Sequence, residues 1–282
     1  YSDGFLYNIK PTDNTLGFKF DRPSSATRVN EKGLIEQVGY FGPELVQNGD
    51  FSELGPELVV NGDFATDSDW TKGTGWSISG GKANCDGSQT SQTTLESIPN
   101  LALGVGNLFK ITFDISNYSS GQIDLITLVG TGGPEITNIN ANGSYTAYSF
   151  GESTGNSRIQ IIANSDFVGS IDNVSVKEVD PNNYWILHTG WSLGDGVAIA
   201  NNSSSYIKQN NVVTNGKSYK VVFDTIVTSG QFRAVTTADS STYTPYVNKS
   251  GTYTFYINPT SSINGGFEFI GNSFVGSIDN VS

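Results

Sequence analysis

The chain has 282 residues, of which only 15% are charged, and its 27 acidic and 15 basic side chains give a formal net charge of −12. This length can bury two cores of ordinary domain size. The shortage of Lys and Arg argues against a phosphate-binding surface, so we expect no nucleic-acid partner. No apolar run approaches the roughly 18 residues of a membrane-spanning helix, so we expect no membrane insertion.

Residues 1–54 are predicted to be an extended N-terminal segment. Its first 41 residues are too few to bury a core of their own, so we expect them to pack against the first folded module or another subunit. A short duplication follows, Gly-Pro-Glu-Leu-Val-x-Asn-Gly-Asp-Phe, at 42–51 and again at 55–64. The second copy predicts the opening strand of the first module. The first copy predicts a spare strand that pairs with an open sheet edge, on the second module or on a neighbouring chain.

A longer repeat covers most of the remaining chain. All four tryptophans belong to one motif used twice, Trp70 to Trp76 and Trp185 to Trp191, and the run 167–175 recurs letter for letter at 274–282. Self-similarity at this period indicates two versions of one domain. The first copy continues past 175 whereas the second stops at Ser282, so we expect the parent polypeptide to extend further.

Strand patterns dominate both copies. Apolar residues alternate with polar ones over 109–115, and the pattern returns over 219–223. No window of about twelve residues has helical periodicity. We therefore predict an all-β protein in which two tandem antiparallel β-sandwich (jelly-roll) domains, at 55–180 and 181–282, follow the extended segment.

Rare residues give further expectations about the core. The inner tryptophans, Trp76 and Trp191, precede alternating strands and are predicted to be buried. The outer ones, Trp70 and Trp185, follow turn-rich stretches, and their sequence fits either the core or a partner contact. The single cysteine, Cys85, aligns with an alanine of the second copy and is predicted to be a small buried side chain.

Enzymatic chemistry is not expected. The single histidine, His188, has no second histidine or cysteine nearby with which to form a zinc site or a usual triad. The sequence contains no P-loop and no HExxH motif. A pair of carboxylates could still meet in space, because their spacing in sequence says little about their separation in the fold.

Several motifs resemble those of known jelly-roll modules. Asn61-Gly-Asp-Phe64, the Gly-Trp at Trp76 and the closing run 169–175 resemble carbohydrate-binding modules of the family 4, 9 and 22 type. The resemblance covers about 55–180, and 184–282 less completely, and it implies a fold more than a ligand. In the family, two acidic residues of these motifs often hold a structural Ca²⁺. Here those positions are Ala65 and Asn173, which leaves Asp172, with Asp63 as a helper, as the candidate calcium ligands; no other cofactor is expected.

Aromatic side chains are the candidates for sugar binding, because sugars pack their C–H faces on aromatic rings. The candidate platforms are Trp70, Tyr118 and Tyr148 in the first module and Trp185, Tyr243, Tyr246 and Tyr256 in the second. The mirrored carboxylates Asp114 and Asp224, and Asp172 and Asp279, are instead expected to satisfy turn or strand-end amides.

The run 20–36 resembles a segment near the start of phage tail and head-appendage proteins, where it commonly precedes lectin-like or jelly-roll modules. The two resemblances together imply a non-catalytic virion surface protein: a head fibre, a decoration protein or a tail-associated appendage. Residues 1–54 would bind other virion subunits, the protein would be a homo-oligomer, and the modules would adhere weakly and multivalently to host glycans. The alternative is the polysaccharide-binding region of a secreted bacterial protein or hydrolase, which would be extracellular.

Overall fold

The computed structural model describes the chain in two units, residues 1–43 and 44–282. The described residues are 26–29, 35–38, 42–101, 103–129, 136–151, 157–214, 216–237, 239–259 and 265–282. In the first unit, β1 (Ala26–Val29) pairs with β2 (Ile35–Val38) as an antiparallel hairpin. The prediction that residues 1–41 pack against the first module or another subunit concerns contacts outside the described residues, so it stays a prediction.

The first sandwich consists of two antiparallel sheets. Its strands are β3 (Leu54–Glu57), β4 (Trp70–Lys72), β5 (Trp76–Ser79), β6 (Lys82–Asp86), β7 (Thr93–Ser97), β8 (Leu108–Ser120), β9 (Ile123–Val129), β10 (Ile136–Ile139), β11 (Gly143–Phe150), β12 (Arg158–Ala163) and β13 (Val168–Val179). One sheet has the order β10-β9-β12-β7-β4, and the other has the order β11-β8-β13-β6-β5 with β3 beside β13. The pairs β6–β13, β7–β12, β8–β11 and β9–β10, divided between two sheets, define a jelly roll.

The second sandwich has the same pairing with fewer breaks. Its strands are β14 (Ile186–Leu187), β15 (Trp191–Gly194), β16 (Val197–Ser203), β17 (Tyr206–Val213), β18 (Tyr219–Thr236), β19 (Asp239–Tyr243), β20 (Gly251–Ile257) and β21 (Gly265–Asp279). The long strand β18 corresponds to β8 plus β9, and β21 corresponds to β12 plus β13. The hydrogen bonding of all eight strands is therefore continuous, and the long strands bend from one of the two facing sheets of the sandwich into the other.

A glycine makes one corresponding corner in each sandwich, between β8 and β9 in the first and within β18 in the second. Gly121, between β8 and β9, has a φ of +68°, and Gly230, within β18, has a φ of +70°. A Cβ on Gly230 would lie 2.0 Å from the backbone oxygen of Ser273, so only glycine fits. The described residues contain strands and no helix. The prediction of an all-β fold of antiparallel jelly-roll sandwiches is confirmed.

Each sandwich encloses its own aromatic core. Trp76 lies opposite Cys85 across two strands, and Trp191 lies opposite Ala200 in the same register. All four side chains are buried, which confirms the predictions for the inner tryptophans and for the cysteine. Burial raises the pKa of the Cys85 thiol.

Residues 44–51 pack on the second sandwich, although they precede the first one in sequence. The backbone N–H of Val281 donates to the carbonyl of Gly49 at 2.9 Å. The side chain of Gln209 accepts from the N–H of Gln47 and donates to its carbonyl, at 2.8 and 2.7 Å. The segment follows an irregular path with no ladder. The prediction that this segment forms a paired strand is therefore wrong. Its predicted location was the second module or a neighbouring chain, and the structure places it on the second sandwich.

The same contacts recur within the first sandwich. There the N–H of Val174 donates to the carbonyl of Gly62 at 2.8 Å, as Val281 does to Gly49. The two copies of the short duplication therefore open two different sandwiches. The predicted boundary at residue 54 needs correction, because 44–51 contributes to the second core through Phe51 and Val46.

The first sandwich is thus inserted into the second. The chain leaves the second sandwich after Phe51 and returns to it at Asp180, whose N–H donates to the carbonyl of Glu53 at 3.0 Å. Leu54 of β3 pairs with Val179 of β13, so the chain enters and leaves the first sandwich through neighbouring strands. Insertions are tolerated where the ends of the inserted domain lie close together.

A mixed polar and apolar contact joins the two sandwiches. The Tyr148 hydroxyl donates to the carboxylate of Asp195 at 3.0 Å and accepts from its N–H at 2.7 Å. Leu108 and Val179, from the first sandwich, are buried within the second core. Burial raises the pKa of the Tyr148 phenol. This tyrosine therefore fastens the two sandwiches to each other.

Candidate functional site

Both outer tryptophans belong to the cores, which corrects their candidacy as sugar platforms. Trp70 is 5% exposed and Trp185 is 4% exposed. Each indole N–H donates to a backbone carbonyl of an Asn-Gly-Asp-Phe motif: Trp70 to Asn61 at 3.0 Å and Trp185 to Asn48 at 2.9 Å. Neither indole presents a ring face to a ligand.

Two of the candidate tyrosines are also engaged by the fold. Tyr118 is half-buried, packs against Phe167 with ring centroids 6.5 Å apart, and donates its hydroxyl to the carbonyl of Gly121. Tyr148 lies in the contact between the sandwiches. The first sandwich therefore keeps none of its three predicted platforms open to a ligand.

Three candidates of the second sandwich are exposed. Tyr243 is 51%, Tyr246 46% and Tyr256 67% exposed. The first two meet at Arg233, whose guanidinium carbon lies 4.2 Å from the Tyr243 ring centroid and 5.2 Å from that of Tyr246. Tyr256 pairs with Lys220 at the other end of β18, in the other sheet. The structure therefore brings together two of the seven predicted residues.

The outward side of strands β17, β21 and β18 carries this pair. Phe267 and Phe269 of β21 are buried, so the alternate residues of that strand point outward. Register then places two rows of side chains on one face. We call it the tyrosine–arginine face; it consists of Tyr206, Ile270 and Arg233 in one row, Lys208, Glu268, Val235 and Tyr243 in the next, and Tyr246 beside Arg233.

Charges of both signs lie on this face. Burial raises the pKa of Glu268, while Lys208 and His188 oppose that rise. The His188 ring packs on Tyr206 with centroids 4.0 Å apart. The Nε of Arg233 is buried, and among the described residues it has no hydrogen-bond partner. A buried donor without a partner is costly, so this arginine is poised to donate to a ligand.

The Glu268 carboxyl predicts a specific pH dependence of stability. Its folded-state pKa lies above the ordinary 4.5, so just above that pH the folded protein binds more protons than the unfolded chain, and stability falls as pH rises through this window. Glu268→Gln is expected to make that fall shallower. Urea unfolding of both proteins between about pH 4.5 and pH 7 measures it; identical slopes would contradict the assignment.

The equivalent face of the first sandwich has a different chemistry. Register places Gln160 where the second sandwich has Glu268, and Glu96 where it has Lys208. Gln160 donates to Glu96, and Arg158 Nε lies 2.9 Å from the same carboxylate. These polar groups satisfy one another, so the arrangement of tyrosines around an arginine distinguishes the second sandwich.

The carboxylates of the closing strands have structural partners. Asp172 accepts from the N–H of Asn173 at 2.7 Å, and Asp63 accepts from that of Ala65 at 3.3 Å. Within the described residues, no three His, Cys, Asp or Glu side chains are grouped as metal ligands. The calcium site at Asp63 and Asp172 stays a prediction that rests on two carboxylates.

The mirrored pair Asp114 and Asp224 makes the same kinds of hydrogen bond in the two sandwiches. Each accepts from a hydroxyl and from an asparagine, Ser144 and Asn173 in the first sandwich, Thr252 and Asn280 in the second. These hydrogen bonds lower the pKa of both aspartates. Their structural role, predicted from the repeat, is confirmed, although the donors are side-chain hydroxyls and amides rather than backbone amides.

One sequence run has the spacing of a catalytic motif. Residues 151–155, Gly-Glu-Ser-Thr-Gly, match G-x-S-x-G, which serves catalysis when its serine stands between a strand and a helix. This run follows β11, and 152–156 lie outside the described residues. A spacing match without that context carries no assignment.

Comparisons with known proteins add little to this geometry. No protein-family model and no curated protein matches the sequence. The N-terminal CBM22-1–CBM22-2 tandem domain of Xyn10C from Paenibacillus barcinonensis is 10% identical, with a TM-score of 0.28, over 82% of this chain and 97% of that one. An allantoicase structure is 7% identical, with a TM-score of 0.26, over 79% of this chain and 94% of that one. Scores this low carry no argument, so the jelly-roll assignment rests on the strand pairing.

The structure adds residues that the sequence did not single out. Arg233, Glu268, Tyr206 and Lys208 lie on three strands and meet only through register. The available signal was a charged residue between buried neighbours, as Arg233 is between Phe232 and Ala234. Within the described residues, no helix has the length and apolarity to cross a membrane.

Proposed function

We propose that this is a non-catalytic saccharide-binding protein whose second sandwich binds its ligand on the tyrosine–arginine face. The observation that carries the proposal is the contact of two half-exposed tyrosine rings with one arginine on an outward sheet face. Aromatic rings pack on the C–H faces of sugars, and the neighbouring Arg233 and Glu268 supply hydrogen bonds to hydroxyls.

The contrast between the two sandwiches supports the proposal. A face that only had to be soluble would resemble that of the first sandwich, where Glu96, Arg158 and Gln160 pair internally. The second sandwich instead exposes aromatic area. One such face offers a small contact, so useful avidity requires several copies on one particle or oligomer. The first sandwich then acts as a scaffold.

Removing both rings tests the proposal. The double variant Tyr243→Ala/Tyr246→Ala is expected to lose saccharide binding on a glycan array, because about 1 kcal/mol or more of ring contact disappears at each position. Tyr256→Ala is the matched control, since it removes a more exposed tyrosine from the other sheet. Loss of binding in the control, or retention in the double variant, would contradict the location of the site.

We further propose that the protein is displayed on a virion surface, as a head fibre, decoration protein or tail-associated appendage. The support is the resemblance of 20–36 to the start of phage appendage proteins. Because 44–51 is packed on the second sandwich, binding to other virion subunits falls to residues 1–43.

Mass spectrometry of purified virions, together with imaging at a resolution that traces the chain, tests this location. The expected result is the full chain on the particle with residues 1–43 against another subunit. Recovery of the protein only from bacterial culture supernatant would instead favour the polysaccharide-binding region of a secreted protein.

A further inference from the structure

We infer that the saccharide bound at the tyrosine–arginine face carries a carboxylate, as uronic and sialic acids do. The inference deepens the proposed function and rests on it. Neutral sugars need only rings and hydrogen-bonding groups, so the question is what the charge of Arg233 adds. Three features of this arginine point to an anion.

The first feature is the way the guanidinium is held. Its central carbon lies 4.2 Å from one tyrosine centroid and 5.2 Å from the other. Stacking on aromatic rings fixes the plane of the arginine and limits its rotamers. A planar fork fixed in this way matches the two oxygens of a carboxylate, which it binds through parallel N–H···O bonds.

The second feature is the lack of a counter-ion. Among the side chains that the structure describes, none forms an ion pair with Arg233, and its buried Nε has no hydrogen-bond acceptor there. Arg158, on the corresponding face of the first sandwich, lies 2.9 Å from Glu96. Although the chain has 27 acidic and only 15 basic side chains, the described side chains leave the positive charge of the half-buried Arg233 without an ion pair.

The third feature is the local charge balance. Glu268 is the carboxylate of the face, and it already interacts with Lys208 and His188. Lys208 lies directly opposite Glu268 in the strand register and compensates its charge, so the charge of Arg233 remains for the ligand. A carboxylate placed on the arginine would leave its sugar ring beside Tyr243 and Tyr246, the surface assigned to saccharide binding.

Matched pairs of probes test the inference. The first pair is a galacturonic acid hexamer and its methyl ester, and the second is sialyllactose and the methyl ester of its sialic acid. Wild-type protein is expected to bind the acidic member of at least one pair about tenfold more tightly in calorimetry, the range of a charge-assisted hydrogen bond. The pair that shows the preference identifies the source of the carboxylate, and added salt should weaken it.

Arg233→Gln is expected to reduce that preference to about twofold or less, because the acidic member loses more affinity than the neutral member does. Arg233→Lys keeps the charge but loses the fork, so an intermediate preference is expected. Arg158→Gln is the control, with unchanged binding. Circular dichroism of each variant verifies the fold, and the lysine variant keeps the test decisive if the glutamine variant unfolds.

The outcomes separate the two proposals. Equal affinity of wild-type protein for acidic and neutral members, with both lost in Tyr243→Ala/Tyr246→Ala, overturns the carboxylate but leaves saccharide binding standing. An equal loss of both affinities in Arg233→Gln makes the arginine a structural support, and this result also overturns the inference of a carboxylate. Failure of every saccharide to bind on array and calorimeter removes the proposed function, and the inference with it.

Discussion

Replacing Trp185 with alanine is expected to lower the free energy of unfolding by about 3–5 kcal/mol without removing a ligand contact. The indole is 4% exposed, its centroid lies 5.0 Å from that of Phe51, and its N–H is bonded to the carbonyl of Asn48. The substitution leaves a cavity and removes one of the two hydrogen bonds that the Asn48 carbonyl accepts, the other coming from the N–H of Phe51. Urea unfolding at constant pH measures the change.

Trp185→Phe is the matched control for this prediction. Phenylalanine keeps most of the ring packing but loses the indole N–H, so a smaller loss, of about 1–2 kcal/mol, is expected. If Trp185→Ala were instead nearly as stable as wild type and unable to bind saccharide, the side chain would be a ligand platform after all.

The insertion predicts that two phenylalanines near each other in sequence stabilise different sandwiches. Phe51 packs on Trp185 with centroids 5.0 Å apart, and Phe64 packs on Trp70 at 4.9 Å. Each alanine variant is expected to lose about 3–5 kcal/mol. Phe51→Ala should act on the second sandwich, although most of that sandwich lies far downstream in the chain. The contact between Asn48 and Trp185, for example, spans 137 positions. Phe64→Ala should act on the first.

Hydrogen exchange read by mass spectrometry distinguishes these effects, because protection reports local stability. Phe51→Ala is expected to lower protection chiefly over 185–282, and Phe64→Ala chiefly over 70–179. Each variant serves as the control for the other. If Phe51→Ala lowered protection only within 44–51, the segment would be an appendage of the second core rather than part of it.

The sequence predicted the fold well because its signals are local and doubled. Strand alternation, the repeated Trp motif and the matching closing runs each indicate one sandwich, and the pairing of Trp76 with Cys85 agrees with that of Trp191 with Ala200. The insertion was harder to predict, since the two Asn-Gly-Asp-Phe copies are identical and each fits either sandwich. The signal for the insertion was that the second copy of the long repeat has no opening motif of its own. That signal predicted a paired strand over 44–51, where the structure has an irregular segment that ends in a turn.

The candidate site was predicted less well, for two physical reasons. Trp70 and Trp185 lie in turn-rich sequence, yet their indoles reach back into the cores and bond to backbone carbonyls; a turn-rich sequence says nothing about side-chain direction. The tyrosine–arginine face joins Tyr206, Arg233 and Glu268 from three strands. Their proximity depends on strand register, which a single sequence specifies only through the whole sheet.

The insertion also determines how the protein bears mechanical load. Tension applied between residues 44 and 282 acts on two segments of the same sandwich, which are joined where the N–H of Val281 meets the carbonyl of Gly49. The first sandwich is connected to the second through two neighbouring strands, in which Leu54 pairs with Val179, and it lies outside the line of force. Such a load is therefore resisted first by the second sandwich, and the first sandwich enters the line of force once residues 44–51 have detached.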